Sequence, residues 1–283
     1  MDLTNLDTLR ALLARHDFHF SKSLGQNFLI RAWVPEQIIR VSGIDEKSGV
    51  LEIGPGVGVL TRYLSQNAAR VASVELDRKL LPILSETLAD CPNAHVIHED
   101  ILKTDLDRLV EQEFSGLDPV VCANLPYQIT TPVLTRLLES GHFRRITVMI
   151  QKEVAQRICA KAGTPEYGAF SLFIQYHAHA TICFEVPPDC FHPRPAVTSA
   201  VIHLEKIAPP ADLQDEKLFF SLIKAAFAQR RKTLVNALAP LLASSMTKQQ
   251  IQEVLHSCGL DTMIRGEMLN ISDYVRLANE FCR

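Results

Sequence analysis

Leu51-Glu52-Ile53-Gly54-Pro55-Gly56-Val57-Gly58 sets three glycines directly behind a short apolar run that begins at Gly49. An apolar run of strand length, halted by glycine, reads as a buried strand followed by a turn. Without side chains, the backbone at Gly54, Gly56 and Gly58 can turn sharply and come close to a bound molecule. Thr61 to Asn67, behind the turn, reads as a helix. The alternation continues outward. Arg70–Glu75, His95–His98, Pro119–Ala123 and Ile146–Ile150 are further strand-like runs, and Lys79 to Asp90 is a second helical stretch. Strands rich in Val and Ile, separated by helix-length segments, predict a parallel sheet covered on both faces. Residues 169–180 and 200–205 are also strand-prone, so the sheet is expected to continue to about residue 205.

The glycine spacing is G-x-G-x-G, and Val59 stands where a dinucleotide fingerprint would have glycine or alanine. Glu75 closes the next strand, where a carboxylate can accept hydrogen bonds from both hydroxyls of a ribose. A glycine turn alone can be purely structural. With an acid at the next strand end it predicts an adenosine-containing cofactor. Asp100 follows the third strand, would face the same crevice and could accept from an adenine amine. Read by itself, Asp100 is first a cap for Ile101-Leu102 or a solvated loop residue. No Walker lysine follows the loop, which disfavours a P-loop nucleotidase.

Asn124-Leu125-Pro126-Tyr127 ends the fourth strand and so falls at the ligand crevice of an open α/β sheet. An adenine amine is a poor nucleophile, because its lone pair is delocalised into the ring. The Asn124 side-chain oxygen and a neighbouring backbone carbonyl can accept its two N–H bonds, which favours a pyramidal nitrogen. Pro126 stiffens the turn, and Tyr127 offers a face for a base to stack on. Orientation and electrostatic support then suffice, with no strong base. The bland alternative is a proline turn with an ordinary buried tyrosine.

Beyond Ile207-Ala208-Pro209-Pro210-Ala211-Asp212 the pattern becomes helical. Leu218, Phe219, Leu222, Ile223, Ala226 and Phe227 recur at helical spacing. Thr247 and Gln250 form a capping-box pattern, Gly259 suits a helix stop, and a last helix is expected over Asp273 to Phe281. The expected division is an α/β domain over 1–206, with an N-terminal arm over 1–30, and a helical domain over 207–283. The 283 residues are 47% hydrophobic and 22% charged, which suits a folded globular protein. No apolar stretch spans a bilayer and no secretory leader is evident, so a cytoplasmic protein without a membrane partner is expected. The seven cysteines form no C-x-x-C pair, which argues for reduced thiols and no metal site. A net charge of −3 counts against non-specific coating of nucleic acid but allows a local basic surface.

Four motifs together resemble the ribosomal RNA adenine dimethyltransferase family. They are Asn124-Leu125-Pro126-Tyr127, the N-terminal Ser23-Leu24-Gly25-Gln26-Asn27-Phe28-Leu29, the loop Phe191-His192-Pro193-Arg194-Pro195-Ala196-Val197-Thr198-Ser199, and Phe227-Ala228-Gln229-Arg230-Arg231-Lys232-Thr233-Leu234. The resemblance runs from about residue 20 to the end. It implies a Rossmann-like class I methyltransferase sheet with a small all-helical C-terminal domain. It implies S-adenosyl-L-methionine as cofactor, held through Asn27, Leu29, Gly54, Gly56, Gly58, Glu75, Asp100 and Asn124. It implies that Asn124 and the Leu125 carbonyl orient the target amine, with Tyr127 and Phe191 stacking on a flipped adenine. The implied reaction is dimethylation of two adjacent adenines near the 3′ end of 16S rRNA in the immature 30S subunit, by a monomer. One departure is Tyr167-Gly168-Ala169-Phe170, where the family more often has Gly-Arg-Leu.

Arg230-Arg231-Lys232 is the densest basic run. Alone it reads as a solvated helix face; the resemblance makes it an RNA contact. Arg144-Arg145, Arg10, Arg15 and Lys22 could extend a positive track. Three other readings compete with this one. A large-subunit rRNA methylase shares the tetrapeptide but tends to have serine before the glutamine of Leu24-Gly25-Gln26-Asn27, and Arg265-Gly266-Glu267-Met268-Leu269 also favours the small-subunit enzyme. DNA adenine methylases usually have proline where Leu125 stands. A non-catalytic assembly factor would not need intact Gly54, Glu75, Asn124 and Tyr127.

Overall fold

A computed structural model describes residues 1–21 and 24–282. Lys22, of the expected positive track, and Ser23, of the N-terminal motif, lie outside the described residues. The chain divides into two compact units. The first comprises Met1–Ala155 and Thr181–Lys206, and the second Gln156–Ala180 and Ile207–Arg283.

The first unit begins with α1 (Leu6–Arg15), β1 (Phe28–Leu29) and α2 (Trp33–Ser42). Alternating elements follow: β2 (Ser48–Ile53), α3 (Val59–Ser65), β3 (Arg70–Glu75), α4 (Leu81–Thr87), β4 (Ala94–His98), α5 (Leu106–Phe114), β5 (Asp118–Asn124), α6 (Thr130–Ser140) and β6 (Arg145–Gln151). After α7 (Lys152–Ile158) and α8 (Ala169–His177) come β7 (Ala178–Val186), β8 (Phe191–His192) and β9 (Ser199–Lys206). Seven strands form one sheet in the order β4-β3-β2-β5-β6-β9-β7. Strands β4, β3, β2, β5 and β6 are mutually parallel, and β9 runs antiparallel to β6.

Every residue of β2 is buried, as expected of a central parallel strand covered on both faces. Leu9, Leu12 and Leu13 of α1 and Val34 and Ile38 of α2 join its core. The spacing of these residues gives each helix one apolar stripe. The Asn5 side chain caps α1 by accepting from the Asp7 and Thr8 amides, and Gly43 in the left-handed conformation stops α2. Phe18, Phe20 and Phe28 cluster with ring centroids 5.3–5.9 Å apart. Together with α1, they fasten the N-terminal arm to the body.

In the second unit α9 (Glu216–Ala228), α10 (Leu234–Leu242), α11 (Lys248–Ser257) and α12 (Ile271–Phe281) share a core with Tyr167, Leu172 and Tyr176. The expected box at Thr247 and Gln250 caps α11. Tyr167 and Tyr274 are wholly buried, and their hydroxyls donate to the Leu269 carbonyl at 2.9 Å and the Gly266 carbonyl at 3.0 Å. Tyr167, the departure from the family pattern, is thus a core residue of this unit.

The structure departs from two expectations. Residues 169–177 form a helix rather than a strand, and β7 starts only at Ala178. Phe, Ile and Tyr favour strands, but the Ser171 hydroxyl accepts from the Gly168 amide and donates to the Arg157 carbonyl, which starts a helical turn. Leu172 and Tyr176, four apart, are then buried together against the helical core. Residues 1–206 are also not one compact unit, because 156–180 pack with the helices that follow residue 207. No described helix is long and apolar enough to cross a membrane.

Tyr167→Phe would leave the buried Leu269 carbonyl without its donor. We expect a loss of about 1–3 kcal/mol, read by denaturant or thermal unfolding of the full chain. An unchanged stability would contradict this account of the helical core.

Candidate active site

Strands β2 and β5 are parallel neighbours, but the chain leaves them in opposite directions, to β3 on one side and β6 on the other. Right-handed crossovers then place the following helices on opposite faces, and a crevice opens beyond the strand ends. A cavity of about 350 Å³ fills it.

The glycine turn forms the first wall. Gly54, Gly56 and Gly58 have φ of 67°, 60° and 88°, a region that favours glycine. A Cβ on Gly56 would stand 2.9 Å from the Phe28 ring. Gly54 and Gly56 line the cavity. Gly58 does not: it precedes α3, and a Cβ there would meet Leu88 and Thr87 at 3.1 Å. The close approach of α4 requires glycine at this position.

Glu75 ends β3 at the cavity wall, only 6% exposed, and accepts the Asp77 amide at 2.7 Å. Burial raises its pKa to about 7, against the opposing pull of the Asp77 and Gly56 amides. Glu52, 1% exposed, lies next to it in the cavity lining. Its Oε2 accepts the hydroxyls of Thr61 and Ser73, each at 2.7 Å. Burial likewise raises the Glu52 pKa to about 7, and the charge of Glu75 adds to the effect. Asp100 lines the cavity and also accepts the Leu102 amide at 3.0 Å, closing a turn rather than capping a helix. Leu76 and Ile101 add apolar surface beside these acids.

The tetrapeptide forms the second wall. The Asn124 amide donates to the Asn27 carbonyl at 3.5 Å, which leaves Oδ1 to accept. The Leu125 side chain is buried and its amide donates to Met149 O at 3.0 Å, so this residue offers its backbone. Pro126 lies against Gly54, where an added Cβ would be 3.7 Å from the ring. Tyr127 is half-buried, and its hydroxyl lies 2.8 Å from Ser199 Oγ. Burial holds the phenol above its ordinary range, against the pull of the Ser199 hydrogen bond.

Residues 24–29 form a third wall. Asn27 Nδ2 donates to Gly25 O at 2.9 Å. Gln26 accepts the Ser21 amide at 2.8 Å and donates to Asp77 at 2.7 Å, tying the arm to the segment behind Glu75. Strand β1 pairs antiparallel with β8, setting Leu29 opposite Phe191. Phe191 lines the cavity but is only 3% exposed.

Every expected site residue of the first unit except Gly58 therefore meets at one cavity. Sequence reasoning missed Glu52, Gln26, Leu76, Ile101 and Gln128, which also line it. Glu52 was legible only as a strand residue, although an acid within a buried apolar run is a signal in itself. The basic run lies elsewhere, in the turn between α9 and α10 of the second unit rather than on a helix. Arg231 and Lys232 are exposed, while Arg230 pairs with Glu267 at 3.1 Å and donates to Pro165 O at 3.3 Å. Arg145 is engaged by Asp118 at 2.6 Å, and Arg15 pairs with Glu86.

The donor set suits an adenosine-type cofactor. Two acids and an apolar strip face a turn without side chains, as ribose, base and close backbone approach require. No group of three or more His, Cys, Asp or Glu among the described residues is placed to hold a metal.

Residues 17–277 match the family described as Ribosomal RNA adenine dimethylase. The chain is 43% identical over 282 residues to the ribosomal RNA small subunit methyltransferase A of Geobacillus thermodenitrificans (strain NG80-2), covering 98% of this chain and 96% of that protein. It is 44% identical to the protein of the same name from Shouchella clausii (strain KSM-K16), covering 98% and 95%. Its fold is similar to that of a dimethyladenosine transferase from Plasmodium falciparum, with a TM-score of 0.77 at 24% identity, covering 90% of this chain and 97% of that one. The 23S rRNA methyltransferase ErmE gives 0.68 at 23%, covering 91% and 100%. These likenesses bear out the class I methyltransferase sheet with a helical C-terminal part.

Glu75 yields a prediction about stability and binding together. A carboxyl raised from 4.5 to about 7 on folding holds its proton more tightly when folded. Its contribution to stability is therefore present below pH 4.5 and lost as pH rises to about 7. Glu75→Gln should lose cofactor binding in calorimetry, while its Tm relative to the unchanged protein rises between pH 5 and pH 8. A gap in Tm that does not vary with pH would refute the assignment of a buried, ionising Glu75.

Proposed function

The chain belongs to the ribosomal RNA adenine dimethylase family, and on that premise we propose that it dimethylates the exocyclic amines of two adjacent adenines near the 3′ end of 16S rRNA in the immature 30S subunit. The observation that carries this reading is the meeting of Asn124, Glu75 and the Gly54–Gly56 turn in one cavity. Half of that cavity suits an adenosine and half suits a base with an amine.

S-adenosylmethionine, when bound, supplies an electrophilic methyl on a sulfonium. Glu75 would accept from the ribose hydroxyls and Asp100 from the adenine amine, with the backbone of Gly54 and Gly56 close by. Asn27 and Leu29 would close the arm side of the same half. On the substrate side, Asn124 Oδ1 and the Leu125 carbonyl accept the N–H bonds of the target amine, turning its lone pair toward the methyl. Tyr127 and Phe191 hold the base by stacking. For each methyl gained, the nitrogen gives one proton to water. The rate gain comes from holding two reactants in line and from fixed acceptors, so no basic side chain is required.

Arg230, Arg231 and Lys232 are assigned to phosphate contacts, with Arg231 and Lys232 the more available because Arg230 already holds Glu267. Recognition then rests on rRNA shape and a splayed-out base. The protein acts as a monomer. Small-subunit specificity is supported by relatives of 41–44% identity that carry small-subunit names, against 23% for ErmE.

The test supplies immature 30S particles and, separately, 23S rRNA with labelled S-adenosylmethionine, and locates the label by mass spectrometry. Dimethyladenosine at two neighbouring positions of 16S rRNA is expected; label in 23S rRNA, or none, would overturn the reading. Asn124→Ala should slow transfer roughly 10²- to 10³-fold, as removal of one aligned polar group does elsewhere. Replacing Arg230, Arg231 and Lys232 together with Ala should weaken 30S binding and flatten its salt dependence. An unchanged salt slope would remove that turn from the RNA surface.

A further inference from the structure

The Tyr127 hydroxyl meets Ser199, the last residue of the Phe191–Ser199 loop. The two residues are 72 apart in sequence, yet their oxygens are 2.8 Å apart. Ser199 is 0% exposed and starts β9, where it is paired with Gln151 of β6. The preceding residue is also fixed, because Thr198 O accepts the Lys152 amide at 3.0 Å. The other end of the loop, Phe191, is held in β8 opposite Leu29. One loop thus presents Phe191 to the cavity and grips the far edge of the Tyr127 ring.

A half-buried tyrosine could hydrogen-bond to water through its hydroxyl and let the ring swing about its side-chain bonds. A hydrogen bond to a buried, sheet-anchored serine removes that freedom. We propose that Ser199 is a positioning residue that fixes where the Tyr127 ring lies, and that the second methyl transfer depends on it more than the first. This rests on the function proposed above.

The asymmetry follows from the chemistry of the amine. In the first transfer a C–S bond of the donor breaks, a C–N bond forms, and the nitrogen releases one proton to water, leaving S-adenosylhomocysteine. The unmethylated amine carries two N–H bonds, one for Asn124 Oδ1 and one for the Leu125 carbonyl. After the first transfer only one N–H remains, so one of the two acceptors loses its partner. Orientation of the base then falls more heavily on the stacking faces. The second transfer repeats the same exchange of bonds with a fresh donor, on a nitrogen held by fewer hydrogen bonds.

The experiment compares Ser199→Ala, Tyr127→Phe and the double variant in the full chain, using 30S substrate and excess S-adenosylmethionine. Mass spectrometry counts monomethyl- and dimethyladenosine against time. Tyr127→Phe keeps the stacking face and loses only the tether, so it carries the test even if Ser199→Ala fails to fold. In each variant the second transfer should slow roughly fivefold more than the first, the size expected from one lost hydrogen bond. Monomethyladenosine should therefore accumulate, and the double variant should behave like either single one. A wild-type ratio of mono- to dimethyl product, equal slowing of both steps, or additive losses in the double variant would overturn the proposal. Absence of any transfer by the unaltered protein would instead strike the function on which it rests.

Discussion

One carboxylate oxygen, Glu52 Oε2, takes the hydroxyl of Thr61 from α3 and that of Ser73 from β3. It thereby joins the strand before the glycine turn, the helix after it and the neighbouring strand. A buried carboxylate is costly, and the raised pKa of Glu52 reflects that cost. The two hydroxyls offset part of it. With both ends of the turn held this way, three residues of positive φ can keep one shape, and Glu75 stays at the cavity wall. A glycine turn on its own is the most easily deformed part of such a sheet. Here its conformation is determined from outside, by a polar contact beneath it and by the Phe28 ring against Gly56.

The cavity collects segments that lie far apart in the chain: 24–29, 52–56, 75–76, 99–102, 124–129 and 191. Parallel strands bring their carboxyl ends to one edge, and the divergence at β2 and β5 leaves the gap between them. The arm completes the enclosure. Its two-residue pairing with β8 is too short to be stable alone, but the arm also buries leucines of α1 and a cluster of phenylalanines. Apolar burial holds the arm down, and the hydrogen bonds of Gln26 and Asn27 set where it sits.

Much of this was legible in the residues, and the parts that were not share a cause. The glycine turn, Glu75 and the tetrapeptide could be placed because each sits at a strand end, where local pattern and function coincide. Asp100 was readable as a helix cap or as a cavity acid; it lines the cavity, and its carboxylate closes a turn rather than capping a helix. Residues 169–177 misled because their composition favours a strand, whereas their partners in the helical core are supplied by the chain beyond residue 207. Gly58 looked like its neighbours, but what it avoids is a clash with α4 and the residue after it, which no local pattern reveals. The basic run occupies a turn because α9 stops at Ala228, where Gln229 leaves the helical conformation. Glu52 carried a signal only as an acid within an apolar run, and the role of Ser199 depends on Tyr127, 72 residues away in the chain.

The helical unit is built from two stretches, Gln156–Ala180 and Ile207–Arg283, with the end of the sheet threaded between them. This has a consequence during synthesis. Once residue 206 has left the ribosome tunnel, all strands of the sheet are present and the α/β body can close. Tyr167, Leu172 and Tyr176 have by then emerged, but the helices that bury them have not. At a typical elongation rate of about 5–20 residues per second, they wait several seconds with their apolar faces uncovered. That nascent interval, rather than the finished fold, is when the apolar residues of this stretch stand uncovered.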